Sequence, residues 1–237
     1  KHTLFIIGNG FDIAHRLKTQ YCDFEEWLRQ QGNDHLVRMI ETFFSNYRDF
    51  WGDIEKALGE YDEEEIVDWC SPDEGIDYEH PTRSVAAIED GPDWLFKPIL
   101  DEFLEAFNQW VESIDINEAI VMFSLPAESH YLTFNYTETL EKLYGIPQEN
   151  ILHIHGSRLK HDDYIIGHNQ KRDPNDAYED ETELLFKQDT WSKVIAWMNE
   201  LVKDTNGIIK HNQAFFNSLG DITKVVVIGH SFYPVDY

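Results

Sequence analysis

The chain has 237 residues, enough for one large domain or for a domain with a sizeable insertion. Asp and Glu outnumber Lys and Arg 45 to 19, a formal net charge of −26, so the summed field repels phosphate backbones and anionic lipid and argues against a broad nucleic-acid surface. Cys22 and Cys70 are too few for a disulfide framework or a thiolate metal cage and read as buried or idle thiols. No apolar stretch reaches membrane-spanning length and no leader pattern precedes Thr3, so a cytoplasmic protein without a membrane partner is expected.

His2–Ile7 reads as a first strand, and Gly8-Asn9-Gly10 as the tight turn that lets a helix start beside it. A helix is expected from about Tyr21 to Gln31, with Thr19 as N-cap, Phe24, Trp27 and Leu28 as one apolar stripe, and Gly32 ending it. Between Asp34 and Leu125 apolar residues recur at helical spacing: Leu36, Ile40, Phe43, Phe44 and Tyr47, then Trp51, Ile54 and Leu58, then Leu95, Ile99, Leu100, Phe103, Phe107, Trp110, Val111 and Ile114. Their aromatic members are expected in a core rather than around a cofactor. An acidic stretch with prolines, Ser71 to Pro92, interrupts these helices and reads as a surface loop.

Strands resume at His130–Phe134. Thr137–Leu143 reads as a short helix closed by Gly145 and Pro147, and Ile151–Ile154 and Tyr164–Ile166 as further strands. Asp173–Glu183 is an acidic loop and Trp191–Val202 a helix. Val225–Ile228, a continuous β-branched run, suits a central strand buried on both faces. The expectation is an α/β, Rossmann-like fold with a mostly parallel sheet. Residues 1–33 and 126–237 would form the α/β core, with a helical insertion, 34–125, between the first and second strands. The chain starts on Lys1 without a Met and stops at Tyr237 just past a strand, so both ends read as cut.

Five hydrophobic runs each end in small, polar or glycine residues, and in a parallel sheet ligands bind at the carboxyl ends of the strands. Gly8-Asn9-Gly10 fits a compact phosphate-binding turn or a purely structural one. Asp12 suits a ribose hydroxyl, a loop contact or a helix cap. Asn135 offers both donor and acceptor, or makes an Asx turn into the next helix; its Asn-Tyr-Thr triplet is discounted as a glycosylation acceptor at a strand end. His153 and His155 share a strand face, but no third ligand at diagnostic spacing accompanies them and no metal is expected. His155 beside Gly156 suits an accessible general base, or a buried structural imidazole. His168 and His230 occupy similar positions, and spacing does not choose among the four. Gly229-His230-Ser231, followed by Asp236, is a further strand-end loop that suits a ribose or adenine and lacks the two flanking glycines of a nucleophile elbow.

Several segments together, LFIIGNGFDIAHRLKTQYCDF, YLTFNYTETLEKLYG, ILHIHGS, IIGHN and VVVIGHSFYPVDY, resemble the AbiH family of bacterial phage abortive-infection proteins. More distantly, Thr133-Phe134-Asn135, His155-Gly156 and Gly229-His230-Ser231 match in order the turns that surround NAD in sirtuin-like domains. That resemblance implies a phage-defence protein that hydrolyses NAD at the nicotinamide–ribose bond, with Asn135 and His155 catalytic. It places Gly8, Asn9, Gly10, Gly229 and Ser231 around the dinucleotide; Gly156 and His230 in the same turns, and Asp12 and Asp236 as acidic groups for a ribose or a developing cation, complete the expected binding set. The turn here is Gly-Asn-Gly-Phe-Asp rather than Gly-Ala-Gly-x-Ser and there is no zinc-binding cysteine set, which disfavours a deacylase. The alternative is a non-catalytic nucleotide-sensing or partner-binding defence module, answering to a phage-derived or protein trigger.

Overall fold

The computed structural model describes residues 2–71, 90–175 and 184–232. Most of the expected loop from Ser71 to Pro92, most of the loop from Asp173 to Glu183, and Asp236 lie outside the described residues. The helices are α1 (Asn9–Ala14), α2 (Tyr21–Gln30), α3 (Asp34–Phe43), α4 (Ile54–Gly59), α5 (Glu63–Cys70), α6 (Gly91–Trp94), α7 (Phe96–Ser113), α8 (Thr139–Tyr144), α9 (Leu184–Glu200), α10 (Thr205–His211) and α11 (Gln213–Asn217). The chain divides into two compact units, the first made of Lys1–Phe24, Phe107–Ile166 and Lys203–Tyr237, the second of Glu25–Ala106 and Gly167–Val202.

The first unit holds a four-stranded sheet of β1 (Thr3–Ile7), β2 (His130–Thr133), β3 (Ile151–His153) and β4 (Lys224–Ile228), in the order β3-β2-β1-β4. All pairs are parallel, with Phe5 opposite both Tyr131 and Val226, and Tyr131 opposite Ile151. The α/β fold with a large helical insertion between β1 and β2 is therefore present as expected. Side chains alternate along each strand, and both faces are apolar. Phe5, Ile7, Tyr131 and Ile151 pack with Phe11, Leu140 and Ile146. On the other face Leu4, Leu132 and Leu152 meet Phe215, Phe216, Leu219 and Ile222.

Two strand expectations need correction. β4 is an edge strand, not a central one: Val226 and Ile228 pack on the first core, but Val225 is 55% and Val227 39% exposed. A β-branched run shows that a strand forms; what covers each face is decided elsewhere in the chain. Tyr164–Ile166 is not a strand. The Ile165 N–H donates to the His155 carbonyl at 2.9 Å and the Tyr136 hydroxyl to the Ile165 carbonyl at 3.0 Å, without a ladder.

Local details also shift. α1 starts directly from the glycine turn and is too short for its period to be read from sequence. Thr19 does not cap α2: its hydroxyl has no hydrogen-bond partner among the described residues, and Asp23 accepts the Gln20 N–H instead at 2.9 Å. α8 begins two residues later than expected and ends at Gly145, whose N–H returns to the Glu141 carbonyl at 3.0 Å.

The second unit is helical, and its aromatic residues form the core as expected. Phe43, Phe96 and Phe103 are fully buried, with Phe43 and Phe96 edge to face at 5.1 Å and Phe50 and Phe103 at 5.9 Å. α9 begins before Trp191 and packs on α5, burying Val194, Ile195 and Met198. Among the described residues no helix is long and apolar enough to cross a membrane.

Candidate functional site

Because the strands run one way, Ile7, Thr133, His153 and Ile228 end at a single edge. The pairing runs one residue further: the Gly8 N–H donates to the Ile228 carbonyl (3.0 Å), Phe134 to Ile7 (2.9 Å) and Ile154 to Thr133 (2.9 Å). The loops bearing Gly8–Asp12, Asn135–Thr139, His155–Ser157 and Gly229–Ser231 are thereby brought together, at the position where open parallel sheets bind ligands.

Asp12 sits on α1, 1% exposed, at the centre of a polar cluster. The Thr137 hydroxyl donates to its Oδ2 and the Thr139 hydroxyl to its Oδ1 at 2.8 Å. Burial pushes its carboxyl above the usual range, against hydrogen bonds from Thr137, Thr139 and the Asn135 side chain. Asp12 is thus no helix cap; it orients its neighbours. Asn135 is 6% exposed, and its Oδ1 is left without a hydrogen-bond partner among the described residues. A buried amide oxygen in that state is a ready acceptor for a ligand hydroxyl or N–H. Its burial also removes the Asn-Tyr-Thr triplet from the surface.

The four histidines separate. His153 has Nδ1 2.8 Å from the Asn135 carbonyl and Nε2 3.0 Å from Glu141 Oε1, so both ring nitrogens are engaged in holding the β2 loop. His168 belongs to the second unit, where its Nε2 meets the Met198 carbonyl at 2.9 Å and its Nδ1 accepts the Gln170 N–H at 3.1 Å. Burial lowers its pKa, and both of its ring nitrogens are engaged within that unit. His155 and His230 remain at the sheet edge. Both rings lie edge-on to Phe134, with centroids 5.1 and 4.1 Å away. Sequence reading overlooked Phe134 as the spacer between them, and Thr137 and Thr139 as the hydroxyls on Asp12. Threonines two apart beyond a strand-end Asn were the available signal.

The glycines serve close backbone packing. A Cβ on Gly8 would lie 2.6 Å from the Gly229 carbonyl oxygen, and Gly229 has φ +67°, a conformation that favours glycine. The Gly10 N–H donates to the Gly229 carbonyl at 2.9 Å. Asn9 is exposed, its side-chain amide donating to the Thr19 carbonyl at 2.7 Å, and Ser231 is exposed beyond His230. Gly156 lies in the β3 loop beside His155, and Asp236 falls outside the described residues.

Beneath these loops Arg158 and Glu138 form a buried pair. Nε and Nη2 of Arg158 reach the two carboxylate oxygens, and Nη1 donates to the carbonyls of Val111 (3.1 Å) and Ile114 (2.5 Å) at the end of α7. Burial raises the Glu138 pKa, but hydrogen bonds from Arg158 and Lys142 outweigh it and hold the carboxyl at about 2. This pair fixes the loop that carries Asn135 and Thr137.

The family model described as "Bacteriophage abortive infection AbiH" matches residues 4–237. No curated protein matches the chain. No solved structure matches it.

Proposed function

The chain belongs to the bacteriophage abortive-infection family AbiH, a phage-defence family, and on that premise we propose that its strand-edge site binds NAD and hydrolyses the nicotinamide–ribose bond. The observation that carries this reading is Asn135: its Oδ1, buried and without a hydrogen-bond partner among the described residues, lies at the edge where His155 also lies.

The chemistry asks little of the protein beyond position and one proton acceptor. Nicotinamide leaves with the bonding pair as a neutral base, and the ribose passes through an oxocarbenium-like centre. Asn135 Oδ1 accepts a hydrogen bond from a ribose hydroxyl or from the attacking water, fixing its approach. The water oxygen bonds to the ribose carbon, and the His155 imidazole takes its proton. Base assistance of this kind is worth about 10²–10⁴-fold. The glycine turns and the exposed Asn9 and Ser231 would border the dinucleotide.

The test is release of nicotinamide and ADP-ribose from NAD by the purified protein, followed chromatographically. His155→Ala is expected to lower turnover by about 10²-fold or more and Asn135→Ala to abolish it, with thermal melting checking that both variants remain folded. Full turnover in both variants removes the mechanism. A second reading is a non-catalytic nucleotide sensor or partner-binding module; its partner-binding form is favoured by the glycine turn, whose Gly8 and Gly10 N–H groups already bond the Ile228 and Gly229 carbonyls rather than facing a phosphate. Calorimetric NAD binding without nicotinamide release, with or without a phage-derived trigger, would select it.

A further inference from the structure

The second unit carries a feature that nucleotide chemistry does not use. A groove of about 850 Å3 is lined by Met39, Trp69 and Leu95 and by the carboxylates of Asp62, Glu64, Glu65 and Asp68. Trp69 is 51% exposed, and Trp94, next to Leu95 in sequence, is 63% exposed. Large aromatic surface clustered with other apolar side chains marks a contact site more often than a bare surface.

The rim is one-signed. Residues 62–70 contain five carboxylates and no Lys or Arg. Two of these meet cations: Asp68 accepts from Lys187 Nζ at 2.8 Å, and Glu63 pairs with Arg172. Among the described residues no ion pair involves Asp62, Glu64 or Glu65; Asp62 caps α5 by accepting the Glu65 N–H at 3.0 Å, and Glu65 accepts the Ser45 hydroxyl. First-turn acids suit the positive end of a helix, which accounts for part of the acidity. It gives no account of the exposed indole or of the apolar floor beside it.

We propose that this groove docks a basic amphipathic helix of a partner protein. An apolar side chain of that helix seats on Trp69, Met39 and Leu95, and its Lys or Arg residues cross to Asp62, Glu64 and Glu65. Charge complementarity selects this occupant. A second copy of a chain with net charge −26 would bring carboxylates against carboxylates, and nucleic acid is repelled for the same reason. The volume falls within the range of about 300–1,000 Å3 typical of concave binding sites. Apolar anchors in a groove with charges along its rim are the usual terms of helix docking. The proposal is independent of NAD binding and stands or falls separately.

Fluorescence anisotropy with a labelled Leu/Lys amphipathic peptide tests it, on the whole chain. The controls are a Leu/Glu peptide, a Lys/Ser peptide of equal charge, and the variants Trp69→Ala, Glu64→Lys and Glu149→Lys, the last outside the groove. Thermal melting checks that each variant is folded. Binding of the Leu/Lys peptide alone is expected, weakened about tenfold or more by Trp69→Ala and by Glu64→Lys and unchanged by Glu149→Lys. Absence of binding overturns the proposal. So does equal binding of the Lys/Ser peptide, or equal affinity of the groove variants, since either marks unspecific attraction to an acidic protein.

Discussion

Arg158 and Glu138 sit 8% and 4% exposed, each with its charge met by partners of fixed geometry. Removing one member of a buried pair strands the other, and the stranded charge dominates the cost. Arg158→Ala is expected to lower stability by about 3–5 kcal/mol in urea denaturation, whereas Arg158→Leu combined with Glu138→Leu should cost clearly less. The pH dependence has a defined sign. The folded pKa of Glu138 is depressed to about 2, so its contribution is present above the ordinary carboxylate range and is lost as pH falls through about 2. Arg158→Ala should flatten that acid limb. Sequence marked Asn135 and His155 as strand-end residues but left their roles open. Asn135 and His153 are partners through a backbone carbonyl, a relation that spacing in sequence does not encode.

At the scale of the element, periodicity read α2 and β1 well because each presents enough residues to define a face, but it caught α9 only from Trp191, seven residues after its start. It failed where a segment was short or where its surroundings decided the outcome. α1 has six residues, less than two turns, and Tyr164–Ile166 makes one backbone bond to the β3 loop where a strand needs a ladder. β4 carries the sharpest consequence. Val225→Lys should change stability by no more than about 0.5 kcal/mol, because that side chain already faces water. Ile7→Ala, at a fully buried position on the neighbouring strand, should cost about 2–5 kcal/mol. The same Val225→Lys change should lower any tendency to associate through the open edge at high protein concentration, measured by light scattering. A large loss of stability in Val225→Lys would mean that this face is covered in solution.

For the whole molecule the governing quantity is the charge of −26. Like charges crowded on a compact chain repel one another, and salt screens them. Raising NaCl from about 0.1 M to about 1 M shortens the Debye length from about 10 to about 3 Å and should raise the melting temperature measured by calorimetry. A fall would show that attractive surface pairs such as Lys193–Asp93 outweigh the repulsion. By itself the sequence determined what rests on local pattern: an α/β chain, a helical insertion rich in buried aromatics, and strand ends furnished with Gly, Asn, His and Asp. Only the tertiary structure decided that β4 is an edge, that Asp12 and Asn135 share a buried cluster, that His168 lies in the other unit, and that Trp69 faces a one-signed rim. The physical reason is range. Propensity and periodicity act over a few residues, whereas burial and charge pairing depend on which distant segments the fold brings into contact.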